Sequence, residues 1–230
     1  MIDVRANLRR VREAIGRAAE RSGRDPQAVK LVAVTKNVPV EAIRIALEEG
    51  VSALGENRVQ EARAKVAAIG RVAEWHFIGH LQTNKVKYLA DWVDLIHSLD
   101  RWRLAEELEK QGARHQRVWP VLLQVNLSPE ADKYGLTVPE VRPFLERLIG
   151  CRHLRVLGLM TIAPPASDPK ACRPFFRRLR LLAEELEAER WPGVEMRHLS
   201  MGMSGDFEVA VEEGATLVRV GTAIFGPRPV

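Results

Sequence analysis

The stretch LVAVTKNVPVEAIRIALEEGVSALGEN, residues 31–57, decides the fold. It begins with an apolar, β-branched run at 31–36, which is typical of a parallel strand buried on both faces. An Asn-Val-Pro turn follows, and the segment 40–50 then has helical spacing and ends at a glycine. A second strand candidate, 51–57, comes directly after it. The stretch therefore predicts a β–α–β unit, the building block of parallel sheets.

The same alternation continues to the end of the chain. Further strands are predicted at 75–79, 94–100, 118–126, 156–160, 196–202 and 216–221. Helices are predicted at 60–70, 83–92, 103–112, 138–149, 174–188 and 207–214, with an extra amino-terminal helix at 4–22. Eight strands separated by helices is the number that closes a parallel sheet into a barrel, so we expect an α/β protein with a single (β/α)₈ barrel domain over residues 1–230. An open doubly wound sheet uses the same local units and is the alternative.

Composition narrows the class of protein. Hydrophobic residues make up 46% and charged residues 28% of the chain, which indicates a soluble globular protein. The net charge of +5 favours anions weakly, but the arginines are scattered along helical stretches, so we expect no nucleic-acid partner. The first ten residues contain no apolar signal core and no run approaches a bilayer-spanning length. Cys151 and Cys172 are widely spaced, which indicates neither a disulfide framework nor a metal site and fits a cytoplasmic location.

The ends of the strands are where a parallel barrel carries its site. Lys36 ends the first strand run, on the face of Val32 and Val34 by the alternation of strand side chains. Apolar surroundings favour the neutral amine, which is the form that attacks an aldehyde, so Lys36 is a candidate Schiff-base nucleophile. A lysine that extends to water at a strand end is the alternative.

Two turns near the carboxyl end have the composition of a phosphate site. Gly221 and Thr222 follow the last strand and open a short helical turn, and barrels often bind phosphate beside strands 7 and 8. The preceding turn, 199–207, contributes the hydroxyls of Ser200 and Ser204 beside the same corner. We expect the two turns to converge on one anion. The alternative is that Ser204 or the aspartate two residues later only caps the following helix.

Three further side chains could reach the mouth of the barrel. Arg219 lies in the last strand between valines, and a buried arginine needs either a core carboxylate or a ligand group such as a ring nitrogen or a phosphate. Asn57 ends the second strand run and could instead cap the next helix. His76 lies within the third strand and could instead be a core histidine with satisfied nitrogens. The sequence contains no zincin, dinucleotide, P-loop or serine-hydrolase motif.

A series of motifs in order identifies a family resemblance. The motifs are VAVTK (32–36), GENRVQE (55–61), EWHFIGHLQTNK (74–85), HSLDR (97–101), QVNLSPEADKYG (124–135), GLMTI (158–162), MGMSGDFEVAVEEG (201–214) and VRVGTAIFG (218–226). With them the chain resembles, over nearly its whole length, the pyridoxal phosphate homeostasis proteins, whose fold is related to the N-terminal barrel of alanine racemase. Met201 stands where the family pattern has a leucine, an exchange that conserves volume.

The resemblance implies a cofactor and a role for each candidate residue. It implies pyridoxal 5′-phosphate (PLP) held covalently as a Schiff base on Lys36, and Arg219 facing the pyridine nitrogen. Ser200, Ser204, Gly221 and Thr222 would surround the phosphate. Asn57 and His76 would line the ring.

The resemblance also implies a binding protein rather than a strong catalyst. An arginine at the pyridine nitrogen keeps it unprotonated and weakens the ring as an electron sink. Racemases with this barrel add a second domain, and because the chain ends at Val230 we expect none here. We therefore expect a monomeric carrier or regulator of PLP whose only reaction is transimination, possible with free amino acids. We expect it to pass the cofactor to apo-enzymes that bind it transiently. A PLP-dependent amino-acid racemase or lyase, and a sugar-phosphate-binding barrel without PLP, are the alternatives.

Overall fold

The computed structural model of the chain describes residues 2–128 and 134–227. Part of the predicted motif at 124–135, namely residues 129–133, lies outside the described residues, as do Met1 and 228–230. All contacts below concern the described residues.

Eight parallel strands form a closed barrel. The strands are β1 (Lys30–Val34), β2 (Ala53–Glu56), β3 (Glu74–Phe77), β4 (Leu95–Leu99), β5 (Trp119–Gln124), β6 (Leu154–Met160), β7 (Val194–Ser200) and β8 (Leu217–Val220). Each strand pairs with the next in sequence, and β8 pairs with β1 in the register Val32 to Arg219. The predicted barrel is confirmed, and the open sheet is wrong.

Helices surround the barrel. They are α1 (Val4–Arg21), α2 (Val40–Glu48), α3 (Val59–Ile69), α4 (Trp102–His115), α5 (Val138–Leu148), α6 (Arg173–Glu189), α7 (Phe207–Glu212) and α8 (Thr222–Phe225). The extra helix α1 packs against α7 and α8, where the Asn7 side chain donates to the Ile224 carbonyl at 2.8 Å. Within the described ranges, none of the helices combines the length and the apolar character needed to cross a bilayer.

Strand alternation divides the buried side chains into two sets. The inward positions of the strands hold a small apolar cluster: Val32, Ala53, Leu95, Leu122, Met160 and Leu217. The outward positions, such as Trp75 and Trp119, are fully buried beneath the helices and belong to the large core. Because the interior cluster is small, the remaining inward positions are available to the polar side chains described below.

The connection between β3 and β4 differs from the prediction. In place of an α-helix over 83–92, the chain forms a 3₁₀ helix at Thr83–Tyr88, followed by a turn. Val86 of this helix and its C-cap residue Leu89, three residues apart, are both fully buried, and this spacing matches three residues per turn. The Trp92 indole donates to the Tyr88 carbonyl at 2.7 Å, which ties the following turn to the end of the 3₁₀ helix.

The first strand is shorter than predicted and ends at Val34, so Lys36 lies beyond it. The Thr35 carbonyl accepts the Val38 N–H at 2.9 Å and closes a turn over residues 35–38. Asn37 in this turn adopts a left-handed backbone with φ 57°, a conformation that asparagine tolerates better than most residues. Lys36 is therefore carried by a turn instead of a strand.

Candidate ligand-binding site

The turns after β7 and β8 meet, as the sequence predicts. The Ser204 hydroxyl oxygen accepts the N–H groups of Gly221 and Ala223, each at 3.2 Å. The Thr222 side chain beside them is exposed. The Ser204 hydroxyl thus joins the two turns, and α7 has no side-chain cap.

The turn after β7 depends on Gly202. Its φ is 90°, and a Cβ at this position would lie 2.6 Å from the Ala210 Cβ and 2.9 Å from the Phe207 Cα. The Asp206 carboxylate accepts the Met203 N–H at 2.5 Å and so stabilises the turn itself. The predicted alternative, that Ser204 or Asp206 caps α7, is therefore wrong because both side chains have other partners.

Lys36 lies at the same end of the barrel as these turns. Ala33 of β1 pairs with Val220 of β8, and Val34 pairs with Gly55 of β2. Since parallel strands run in one direction, the residues that follow β1 and β8 emerge side by side. Lys36 is half-buried there.

Buried groups fix the residue before Lys36. The Thr35 hydroxyl donates to Glu56 Oε1 at 2.6 Å. Lys65 of α3 donates to the same oxygen at 2.7 Å and to the Thr35 carbonyl. Burial raises the pKa of Glu56, and the hydrogen bonds from Lys65 and Thr35 oppose that rise. The turn that carries Lys36 is therefore anchored to both β2 and α3.

Lys65 also helps to hold Asn37, the residue after Lys36. The Asn37 N–H donates to Glu61 Oε1 at 2.6 Å, and Lys65 donates to this oxygen at 2.7 Å. Although partial burial opposes it, hydrogen bonds from Lys65 and the Asn37 N–H lower the pKa of Glu61. Both neighbours of Lys36 are thus held by one lysine and two carboxylates.

Arg219 is a buried cation that has no carboxylate partner among the described residues. Its side chain donates to the Ser200 hydroxyl at 2.6 Å and to the Thr161 carbonyl at 2.9 Å. Within the described part of the chain no carboxylate lies within ion-pair distance of it, so the predicted core carboxylate is absent there. Burial lowers the pKa of Arg219 to about 10, with a small opposing effect from Asp206, and the group stays charged at neutral pH.

Ser200 and His76 lie inside the barrel. The fully buried Ser200 hydroxyl contacts Arg219 and, at 2.8 Å, His97 Nδ1, and among the described residues it makes no hydrogen bond to the Ser204 turn. His76 is 1% exposed, with Nδ1 3.0 Å from His97 Nε2 and Nε2 3.1 Å from the Glu74 carboxylate. Both ring nitrogens of His76 are occupied, so only its ring face is free to contact a ligand.

Asn57 follows β2 and has an unused acceptor. Its Oδ1 atom is buried and accepts no hydrogen bond from any described residue. The next helix, α3, has Arg58 at its N-cap and no side-chain capping bond. The predicted alternative, in which Asn57 caps α3, is wrong, and its oxygen is free for a ligand donor.

The sequence does not single out His97, Glu56 or Lys65, although all three bear on this site. His97 lies two residues after the inward-facing Leu95 in β4, so the two side chains share a face of the strand. This spacing indicates that His97 points inward once the strand is known. Lys65 and Glu61 are four residues apart on a helix, a spacing typical of an ion pair. Neither pattern reveals the distant partner in the barrel.

The comparisons with known proteins agree on the class. The family model described as "Alanine racemase, N-terminal domain" matches residues 4–229. The alanine racemase of Corynebacterium glutamicum shares the fold at a TM-score of 0.65 and 18% identity, over 96% of this chain and 61% of that one. Fold and sequence together define an alanine-racemase-type barrel.

More similar proteins narrow the class. The pyridoxal phosphate homeostasis protein of Aquifex aeolicus is 49% identical over 96% of both chains. The structure of PipY from Synechococcus elongatus with PLP bound has a TM-score of 0.83 and 38% identity, over 97% of this chain and all of that one. The chain belongs to the family of pyridoxal phosphate homeostasis proteins.

Proposed function

We propose that the chain binds PLP as a Schiff base on Lys36 and serves PLP homeostasis as a carrier or regulator, with residues 1–230 acting as one binding domain. The observation that carries the proposal is the guanidinium of Arg219, which is buried without a carboxylate from the described part of the chain, at the end of the barrel where Lys36 emerges. PipY, a relative of the same fold, has a solved structure with PLP bound, and this supports the choice of ligand.

The residues present fit that group. A guanidinium has five N–H donors, and among the described residues Arg219 donates to two acceptors, Ser200 and Thr161, so donors remain for an acceptor on a ligand. The Asn57 Oδ1 atom is buried without a donor, which is costly unless a ligand supplies one. A ligand with both a ring acceptor and a donor would satisfy the two residues together.

Each residue then has a role in holding the ligand. PLP supplies, when bound, an aldehyde that condenses with an amine and a ring that can withdraw electrons. Lys36 provides the amine, and Thr35 and Asn37 keep its turn in place. Ser204, Gly221 and Thr222 would hold the phosphate, because their turns already bring backbone N–H groups and a hydroxyl together. We assign Ser200 to supporting Arg219 beside this site.

The same residues favour a carrier over a racemase or lyase. Arg219 can only donate, so a ring nitrogen that accepts from it stays unprotonated and the ring withdraws electrons weakly. The likeness to the alanine racemase of Corynebacterium glutamicum, at 18% identity, is one of fold alone. We propose a cytoplasmic monomer that reacts with amino acids by transimination and meets acceptor apo-enzymes transiently.

Absorbance and mass spectrometry test the covalent link. Purified protein incubated with PLP is expected to absorb in the near-visible, and Lys36→Ala should lose this band while keeping its circular dichroism. Lys110→Ala, which changes a 74% exposed lysine on α4, is the matched control and should keep the band. After borohydride reduction, peptide mass spectrometry should find the cofactor on residue 36. A band retained in Lys36→Ala, or no band in the unaltered protein, contradicts the proposal.

Isotope exchange separates the carrier from the enzyme. Alanine and serine incubated with the PLP-loaded protein in D₂O should keep their Cα protons on the time scale of catalysis. Rapid exchange at Cα would contradict the carrier function and favour the racemase or lyase.

A further inference from the structure

A chain of hydrogen bonds runs through the barrel interior to Arg219. It starts at Glu74, whose carboxylate lies 3.1 Å from His76 Nε2. His76 Nδ1 is 3.0 Å from His97 Nε2, and His97 Nδ1 is 2.8 Å from the Ser200 hydroxyl. Ser200 accepts from Arg219 at 2.6 Å. The chain thus links β3, β4, β7 and β8 through side chains on their inward faces.

The two ends of this chain fix its direction. A guanidinium donates hydrogen bonds and never accepts them, so Arg219 is the donor at one end. Hydrogen bonds from His76 and Lys30 lower the pKa of Glu74 to about 2, so at neutral pH its carboxylate only accepts. Every link between them must therefore donate toward Glu74 if each group is to be satisfied.

This direction determines the histidine tautomers. Ser200 accepts from Arg219 and gives its own hydrogen to His97 Nδ1, so the His97 proton resides on Nε2. His97 then donates to His76 Nδ1, and the His76 proton also resides on Nε2, facing Glu74. Both imidazoles are neutral, and each polar atom along the chain has a partner.

The reverse direction leaves groups unsatisfied. If His97 donated to Ser200 instead, the Ser200 hydrogen would have no acceptor among the described residues, which is costly in a fully buried position. His76 would have to carry protons on both nitrogens to reach Glu74 as well. The charged and titratable groups that face the two imidazoles are Lys30 on β1, Glu74 on β3, His198 on β7 and Arg219 on β8. The Ser200 hydrogen left without an acceptor therefore decides against this direction.

We propose that His97 is a positioning residue for Arg219. Together with Ser200, His76 and Glu74 it forms a hydrogen-bond chain in which every group donates in one direction. This hydrogen-bond chain holds the guanidinium from inside the barrel and leaves its remaining N–H donors for a ring nitrogen. The part of this inference that concerns the ligand rests on the proposed function, whereas the hydrogen-bond chain between Glu74 and Arg219 does not. His97 is fully buried in the barrel and acts through Ser200.

The tautomers provide a test that needs no ligand. In side-chain ¹H–¹⁵N correlation spectra of the ligand-free protein at pH 7, His76 and His97 should both appear as neutral imidazoles protonated on Nε2. A proton on Nδ1 of either ring, or a doubly protonated His76, overturns the inference. This result stands whether or not the protein binds PLP.

Binding of a non-covalent analogue tests the positioning role. 4′-Deoxypyridoxine 5′-phosphate has the ring nitrogen and the phosphate but no aldehyde. His97→Phe should weaken its binding about tenfold, as expected when a hydrogen bond to a charged group is disturbed, and leave the affinity for inorganic phosphate unchanged. His97→Gln, which can both accept from Ser200 and donate to His76, should restore most of the affinity.

The outcomes separate the two proposals. An equal loss of analogue and phosphate in His97→Phe would indicate general loosening and overturn the positioning role. Failure of the unaltered protein to bind the analogue would contradict the proposed function, while the spectra would still decide the hydrogen-bond chain. If His97→Phe does not fold, the same comparison is made with Glu74→Ala, whose side chain is partly exposed. Unchanged analogue binding in Glu74→Ala would also contradict the proposed role of the hydrogen-bond chain in positioning Arg219.

Discussion

Lys65 Nζ lies 2.7 Å from Glu56 Oε1, and the two side chains are 8% and 0% exposed. This ion pair is outside the barrel wall, between β2 and α3, directly behind the turn that carries Lys36. An ion pair in this position is stabilising only while both partners are present, because either charge alone would be buried without compensation. It therefore couples the stability of the protein to the placement of Lys36.

Removing one partner of this pair should be strongly destabilising. Lys65→Met is expected to lower the free energy of unfolding by about 3–5 kcal/mol, because it leaves Glu56 buried and unpaired. The double variant Lys65→Met/Glu56→Leu should recover part of that loss. Urea denaturation followed by circular dichroism measures both. Lys110→Met on the surface of α4 serves as control, and additive losses in the double variant would contradict the coupling.

Two glycines in the turn after β7 should respond differently to the same change. Gly202→Ala introduces a Cβ at φ 90° against Ala210 and Phe207, so we expect a loss of about 1–3 kcal/mol. Gly205→Ala, three residues later, meets no atom within 4 Å and should be close to neutral. Thermal unfolding of the two variants in parallel measures the difference, and equal melting temperatures would be inconsistent with this account of the turn.

Acid should destabilise the protein through His97. Burial, with a smaller effect from the positive charge of Arg219, holds the pKa of His97 well below its usual value of 6.5. As the pH falls below about 6.5, the unfolded chain takes up a proton on this residue and the folded protein does not. The free energy of unfolding is therefore highest above that pH and decreases below it, by up to about 1.4 kcal/mol per pH unit. Denaturation curves at pH 7, 6 and 5 should show a shallower decline for His97→Gln. His115→Gln, on the exposed end of α4, should decline like the unaltered protein.

Glu74 should affect stability in a lower pH range. Hydrogen bonds from His76 and Lys30 lower its pKa to about 2 in the folded protein. The contribution of Glu74 to the free energy of unfolding is therefore present above its pKa in the unfolded chain, near 4.3, and is lost as the pH falls toward 2. Glu74→Gln should flatten the pH dependence of unfolding in this window, because it lowers the free energy of unfolding at pH 7 and changes it little near pH 2. Glu20→Gln, on the exposed face of α1, should leave it steep. Parallel curves for Glu74→Gln and the unaltered protein would contradict the assigned hydrogen bonds.

Local sequence patterns predict the part of the structure that local interactions determine. The β-branched run before Lys36 and the helical segment after it predict β1 and α2, and repeating that alternation predicts a closed barrel. Closure in turn predicts that the turns containing Ser204 and Gly221 meet, because neighbouring parallel strands end at the same rim. The short 3₁₀ helix in place of 83–92 was not predictable, since it depends on how Val86 and Leu89 are buried against the rest of the protein.

The interior contacts depend on register between distant strands. His97 and Ser200 are 103 residues apart, and a shift of one residue in either strand would turn one of them out of the barrel. Alternation indicates that each side chain points inward but not at which level. For the same reason the sequence suggests a partner for Arg219 without identifying Ser200 and Thr161 as its two acceptors.

The pairing of β8 with β1 has a consequence for biosynthesis. Lys36 is translated well before Arg219, yet a ligand that engages both requires β8 to be in place. Until β8 has left the ribosome and paired with β1, a growing chain displays the Lys36 amine with half of its surroundings missing. A ligand that needs both residues can therefore be captured only after the barrel has closed.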